Sequence, residues 1–95
     1  MSVTQPAYTP LNITATGTNA IRTGGGLLHG VTINTTAASA VLTLYNNTAG
    51  SGSKIATINC AAGQNSLVYD ATFDVGLTAV MSGGNADVTL CWAPL

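Results

Sequence analysis

Hydrophobic and polar residues alternate with a period of two along most of this chain, and no segment shows the i, i+3, i+4 spacing of an amphipathic helix. Near the C-terminus, for example, Val88, Leu90 and Trp92 fall on one face of an extended segment. Threonine and valine are abundant, and their branched Cβ atoms favour the pleated surface of a sheet. The pattern therefore predicts a chain built from β-strands.

Seven segments carry the alternation, and clusters containing Gly and Asn, which are typical of turns, separate them. The predicted strands comprise residues 11–15, 27–34, 40–46, 54–60, 66–73, 76–81 and 86–93, with a short eighth strand at residues 19–23. The connections are too short for crossover helices, so we expect mostly antiparallel pairing. This organisation predicts an all-β domain over residues 11–95, folded as an antiparallel two-sheet β-sandwich of about eight short strands.

The same alternation predicts which side chains fill the space between the two sheets. The predicted core residues are Leu28, Val31, Ile33, Leu44, Ile58, Leu67, Phe73, Leu77, Val88, Leu90 and Trp92. Residues 46–52 form a polar loop in this interpretation. Residues 82–85 (Ser-Gly-Gly-Asn) are interpreted as a tight hairpin connection, because Gly and Asn tolerate positive φ.

The first ten residues show no alternation, and two prolines flank Tyr8. Proline fixes φ and cannot donate a hydrogen bond to a strand ladder. We therefore interpret residues 1–10 as an extended N-terminal arm, and the alternative is a frayed terminus. The arm supplies the candidate partner-binding residues, which are Gln5, Pro6, Tyr8 and Pro10.

Charged residues are scarce. Arg, Lys and Asp together make up 5% of the chain, against about 25% in a typical soluble domain. No run approaches the roughly 18 apolar residues that span a bilayer, so the sequence predicts no membrane segment. A net charge of −1 offers nothing to attract nucleic acid. Charged side chains at the edges of a sheet normally discourage pairing with another chain, and the predicted strands lack them. A surface with so little charge also tends to associate. Together these features predict a homo-oligomer that is largely covered by partners.

Few residues are suited to chemistry. His29 is the only histidine, so a two-histidine metal site is impossible. Cys60 and Cys91 are expected to be buried, reduced thiols, because the chain begins without the basic, apolar pattern of an export signal and synthesis in a cytoplasm is expected. A Cys–His nucleophile pair is the alternative, but the spacings match no known signature. We expect no catalytic, cofactor or metal site and no small-molecule substrate, and therefore not an enzyme.

Two stretches resemble small virion proteins of tailed bacteriophages, and the likeness extends over roughly residues 20–93. The first is Thr23-Gly24-Gly25-Gly26-Leu27-Leu28-His29-Gly30-Val31-Thr32-Ile33, in which a Gly-rich turn leads into a Leu-His-Gly strand. The second is Val41-Leu42-Thr43-Leu44-Tyr45-Asn46-Asn47-Thr48-Ala49-Gly50-Ser51-Gly52. The group is similar to head decoration, or cement, proteins.

The resemblance implies a jelly-roll-like β-sandwich, often trimeric, that binds the lattice of the major capsid protein on the exterior of the virion. These motifs mark turns and strands, so they do not separate a head protein from a tail or fibre component. The alternative function is therefore a phage tail, fibre or adhesin module that binds a glycan on the host surface. Glycan sites present exposed aromatic side chains beside Asn or Asp, and most aromatic residues of this chain alternate into the predicted core.

Overall fold

The computed structural model describes residues 8–61 and 66–95, which form eight β-strands and no helix. The strands are β1 Thr9–Ile13, β2 Gly17–Thr23, β3 Gly26–Thr35, β4 Val41–Tyr45, β5 Lys54–Asn59, β6 Ser66–Phe73, β7 Gly76–Ser82 and β8 Asp87–Pro94. Across these described ranges, no helix is long and apolar enough to cross a membrane. The all-β prediction is confirmed, and all eight predicted strands agree with the structure to within two residues at both ends.

The strands form two antiparallel four-stranded sheets, with the orders β1-β8-β3-β6 and β2-β7-β4-β5. Successive strands alternate between the sheets, and β4 and β5 are the one consecutive pair that forms a hairpin. Two four-stranded sheets with this strand order are the jelly-roll form of the β-sandwich, an architecture found in viral capsid and lectin domains and in cupins. The predicted two-sheet sandwich is therefore confirmed.

The core lies between the sheets and consists of the inward-facing residues of both. Nine of the eleven predicted core residues are buried, the exceptions being Leu67 and Trp92. These two are partly buried and pack against the core from its margin. Leu42, Ala79 and Met81 complete the centre of the second sheet, where they are at most 1% exposed.

The start of β1 and the type of one connection differ from the sequence prediction. Strand β1 begins at Thr9, so Pro10 lies inside a strand and opposite Cys91 of β8. A proline is tolerated there because β1 is an edge strand. Residues 83–86 do form a tight connection with Gly83 at φ 79°, but they join β7 and β8, which belong to different sheets. The hairpin interpretation of this turn was therefore wrong.

The sheet edges carry guards that the sequence analysis did not recognise. The four edge strands are β1, β6, β2 and β5. They carry Pro10, Asp70, Arg22 and Lys54, respectively. Strands β2 and β6 also contain register shifts. Proline, charged side chains and bulges all discourage edge-to-edge pairing with another chain. The expectation of unguarded edges was thus wrong, because three of the five charged side chains lie on edge strands.

The β4–β5 loop folds over the outer face of the second sheet. The Thr78 hydroxyl, which is fully buried, donates a hydrogen bond of 2.8 Å to the Asn47 carbonyl. Gly50 lies so close to β7 that a Cβ atom there would be 2.9 Å from Cγ2 of Val80. The loop therefore covers part of this face.

Candidate functional site

The outer face of the β1-β8-β3-β6 sheet holds the polar side chains that the alternation directs away from the core. We call this surface the His29 face. Its residues, taken from the pairing register and the burial of their neighbours, are Tyr8, Pro10, Asn12, His29, Thr32, Asn34, Ser66, Val68, Asp70, Thr72, Asp87, Thr89 and Cys91. Val68 is 70% exposed and gives the face an apolar patch.

His29 and Asp70 face each other where two strand irregularities coincide. Leu28 pairs with Ala71 and Gly30 pairs with Val68, so β6 has one more residue than β3 in this interval. On the other side of β3, His29 is itself the extra residue relative to β8. Asp70 has a φ of 46°, a left-handed conformation that aspartate tolerates better than most residues. Bulges that re-aim side chains in this way are common next to functional sites.

The facing bulges bring a carboxylate against the imidazole. Nδ1 of His29 lies 2.6 Å from Oδ1 of Asp70, and the two side chains are 38% and 58% exposed. Because a carboxylate accepts and does not donate, the hydrogen is carried by Nδ1, and this leaves Nε2 as an acceptor in the neutral ring. The contact fixes both the tautomer and the orientation of His29.

Tyr8 lies at the β1 edge of the same sheet and stacks on the imidazole. The ring centroids are 4.3 Å apart and the rings are 9° from parallel. Tyr8 immediately precedes β1, whereas His29 belongs to β3, and β8 lies between these strands. The tyrosine ring therefore reaches across β8, whose residue Cys91 pairs with both Pro10 and Gly30. Strands β3 and β6 and the residue just before β1 thus contribute to one aromatic and acidic cluster.

A concavity of about 280 Å³ adjoins this cluster, and its lining includes His29, Gly30, Thr32, Ser66, Val68 and Cys91. Gly30 is required there, because a Cβ atom would lie 2.7 Å from the carbonyl oxygen of Leu67. The concavity therefore combines an apolar floor with hydroxyl groups and one imidazole nitrogen. It is suited to binding a small group or a side chain.

A second polar cluster lies nearer the other end of the same face. Asn12 and Asn34 donate hydrogen bonds of 2.6 and 3.1 Å to Oδ1 of Asp87, and Asn34 also donates to the Thr89 hydroxyl at 3.0 Å. The two amide donors hold the pKa of Asp87 below its usual value. This carboxylate is therefore ionised and already partnered within the chain.

The four candidate partner-binding residues differ in where the structure places them. Gln5 and Pro6 lie outside the described residues. Tyr8 is 36% exposed and is engaged with His29, and Pro10 is paired in β1. Sequence reasoning assigned no partner to His29, because its contacts with Asp70 and Tyr8 join residues far apart in the chain. A lone histidine beside a glycine in a strand was the only local signal.

The two cysteines also differ. Both are free thiols, but only Cys60 is buried, and its burial raises the pKa of the thiol. Cys91 is half-buried on the outer surface, which corrects the expectation that both lie in the core. Of the two cysteines, Cys91 is therefore the one that shares a surface with His29.

No group of three or more His, Cys, Asp or Glu side chains comes together in residues 8–61 and 66–95. A larger concavity of about 350 Å³ lies at residues 12–19, around the β1–β2 connection. No charged or aromatic side chain lines this concavity. The His29 face is therefore the better candidate, although the concavity on it is smaller.

Comparisons with known proteins place this chain in no family. No family model matches the sequence, and no curated protein matches it either.

Proposed function

We propose that this chain is a structural virion protein, which decorates and stabilises a tailed-phage capsid by binding the lattice of the major capsid protein. The observation that carries the proposal is the His29 face. It combines an aromatic pair, an exposed valine and a shallow concavity, with only two carboxylates as full charges among its described residues. Aromatic residues are enriched and charges depleted at the centres of protein interfaces.

The jelly-roll fold and the likeness to phage virion proteins support the same conclusion. Jelly rolls occur in viral capsid domains, although a fold alone does not determine a function. The scarcity of charge also fits a domain whose surface is covered on a particle. On the capsid exterior, the domain would need neither a cofactor nor a catalytic group, and we propose that it is not an enzyme.

Guarded edges indicate how the domain assembles. Because each edge strand carries a proline or a charged side chain, contacts with other copies and with the capsid involve sheet faces and loops. A homotrimer, as the resemblance implies, then uses a heterologous contact that closes around a threefold axis.

A binding experiment with particles tests the proposal. Purified chain is added to virions of the encoding phage that lack it, and bound copies are counted after sedimentation and located by cryo-electron microscopy. We expect saturable binding in regular positions on the capsid, weakened by Tyr8→Ala and Val68→Ser. Val75→Ser is the matched control, because Val75 is also an exposed valine, 49% accessible, but lies in the β6–β7 turn. Binding at the tail alone, or no binding, would contradict the proposal.

The His29 face also favours a second candidate, a tail or fibre module that binds a host glycan. Tyr8 and the amides of Asn12 and Asn34 lie on one sheet face, and jelly rolls include lectins. Binding of the labelled chain to host cells, with competition by free surface polysaccharide, separates the two candidates. Competition that is lost in Tyr8→Ala would favour the glycan.

A further inference from the structure

We propose that the His29 face binds an arginine side chain of its protein partner at the cluster of Tyr8, His29 and Asp70, beside the concavity that His29 lines. This inference rests on the proposed function, because the arginine is presented by the capsid lattice on which the domain docks. It specifies one contact of that interface in chemical terms.

Electrostatics favour a cationic ligand. In the described part of the chain, the full charges on the β1-β8-β3-β6 sheet are Asp70 and Asp87, and both are negative. The two cationic residues, Arg22 and Lys54, belong to the other sheet. With His29 neutral, the face carries a charge of about −2, and an approaching cation is attracted to it.

Asp70 is the carboxylate suited to the contact. Asp87 accepts hydrogen bonds from two amides, whereas Asp70 accepts one described hydrogen bond, from His29 to Oδ1. Its side chain is 58% exposed, and an ionised carboxylate has further acceptor sites beyond the one that His29 uses. The left-handed backbone at Asp70 holds this side chain beside the imidazole.

The remaining groups fit a guanidinium better than an ammonium. A planar guanidinium stacks on aromatic rings and forms directed hydrogen bonds with a carboxylate, while an ammonium is a compact, strongly hydrated charge. Tyr8 and His29 supply the rings, and Nε2 of His29 is an additional acceptor. The apolar part of an arginine side chain would lie along Val68, which is 70% exposed at the margin of the concavity.

The test uses N-acetyl-arginine-methylamide as the probe and the ¹⁵N-labelled full chain as the target. Spectra are recorded at about pH 8, where an ordinary histidine is neutral. We expect saturable shifts of the Gly30, Val68, Asp70 and Cys91 amides, with a dissociation constant in the millimolar range. N-acetyl-citrulline-methylamide, an uncharged probe of nearly the same shape, should produce much smaller shifts.

Two substitutions locate the contact. Asp70→Asn removes the charge and retains a residue that tolerates the left-handed backbone, so the fold is preserved. We expect it to weaken binding about threefold to fivefold, the upper part of the range for one exposed ion pair. Asp87→Asn is the matched control and should weaken binding less than Asp70→Asn, because Asp87 is partnered by two amides and lies outside the Tyr8–His29–Asp70 cluster. Equal binding of the citrulline probe, or full affinity in Asp70→Asn, would overturn the inference.

Failure of this inference is distinguishable from failure of the proposed function. Particle binding through the His29 face without a response to the arginine probe would disprove the arginine contact and leave decoration intact. A specific response to the probe without particle binding would disprove decoration and leave the arginine site intact.

Discussion

The ring of Phe73 lies directly over Gly26, its register partner in the neighbouring strand β3. A Cβ atom at Gly26 would lie 2.7 Å from Cε1 of the ring and 2.9 Å from the Ala93 carbonyl oxygen. Phe73 is 2% exposed and forms part of the core. The glycine therefore makes room for a buried aromatic side chain between two strands.

We predict that Gly26→Ala destabilises the fold by about 1–3 kcal/mol, the usual cost of overpacking a core. Gly25→Ala is the control, because a Cβ atom there would lie 3.6 Å from the Phe73 carbonyl oxygen, an ordinary contact. Urea denaturation of the two variants measures the difference. Equal unfolding midpoints would show that the Phe73 ring moves aside without loss of stability, and would contradict the prediction.

Period-two alternation was enough to predict the strands and most of the core, because it depends on local geometry alone. Sheet membership was not predictable in this way: residues 82–85 have the composition of a hairpin turn and yet join strands in different sheets. The partnership of His29 with Asp70 joins residues 41 positions apart and depends on two bulges. No spacing rule in the sequence encodes such a contact.

We predict that the Thr78 hydroxyl stabilises the β4–β5 loop. Thr78→Val preserves the shape of the side chain but removes the donor to the Asn47 carbonyl, which lies 2.8 Å away. The expected loss is about 1 kcal/mol, as for a single buried hydrogen bond. Thr43→Val is the control, since Thr43 lies on the neighbouring strand β4 with its side chain on the same face of the sheet. Thermal melts that fail to separate the two variants would contradict this role.

We predict that the two thiols react at very different rates in the native protein. Cys60 is fully buried and its pKa is raised by burial, so it is protected and poorly ionised at neutral pH. Cys91 is half-buried at the surface. A thiol reagent should modify one cysteine per native chain and two in urea, and peptide mapping should identify Cys91. The native mass should be the same with and without reductant, because a disulfide would lower it by about two hydrogens.

We predict that Asp87 contributes to the acid sensitivity of the fold. Its pKa is lower in the folded chain because Asn12 and Asn34 donate to it, so the folded state favours the ionised form. This contribution is present above about pH 4, the usual range of a free aspartate, and is lost as the pH falls through the lower pKa of the folded state. Carboxyl NMR titration should show a higher pKa for Asp87 in Asn12→Ala and in Asn34→Ala than in the parent chain. An unchanged titration in both variants would rule out the amides as its cause.

The last prediction concerns the edge of β5. Lys54 begins this strand and is exposed, and it is the one charged residue within β5. A charged side chain discourages a second chain from pairing with the free hydrogen-bonding groups of an edge strand. We therefore expect Lys54→Val to increase association through the β5 edge, seen as a rise in weight-average mass by light scattering at concentrations where the parent chain shows a constant mass. Thr57→Val is the matched control, because it adds a valine at an exposed position of the same strand and leaves the charge in place. If both variants associate equally, added hydrophobicity alone explains the effect. If neither exceeds the parent chain, the charge of Lys54 is not a guard of this edge.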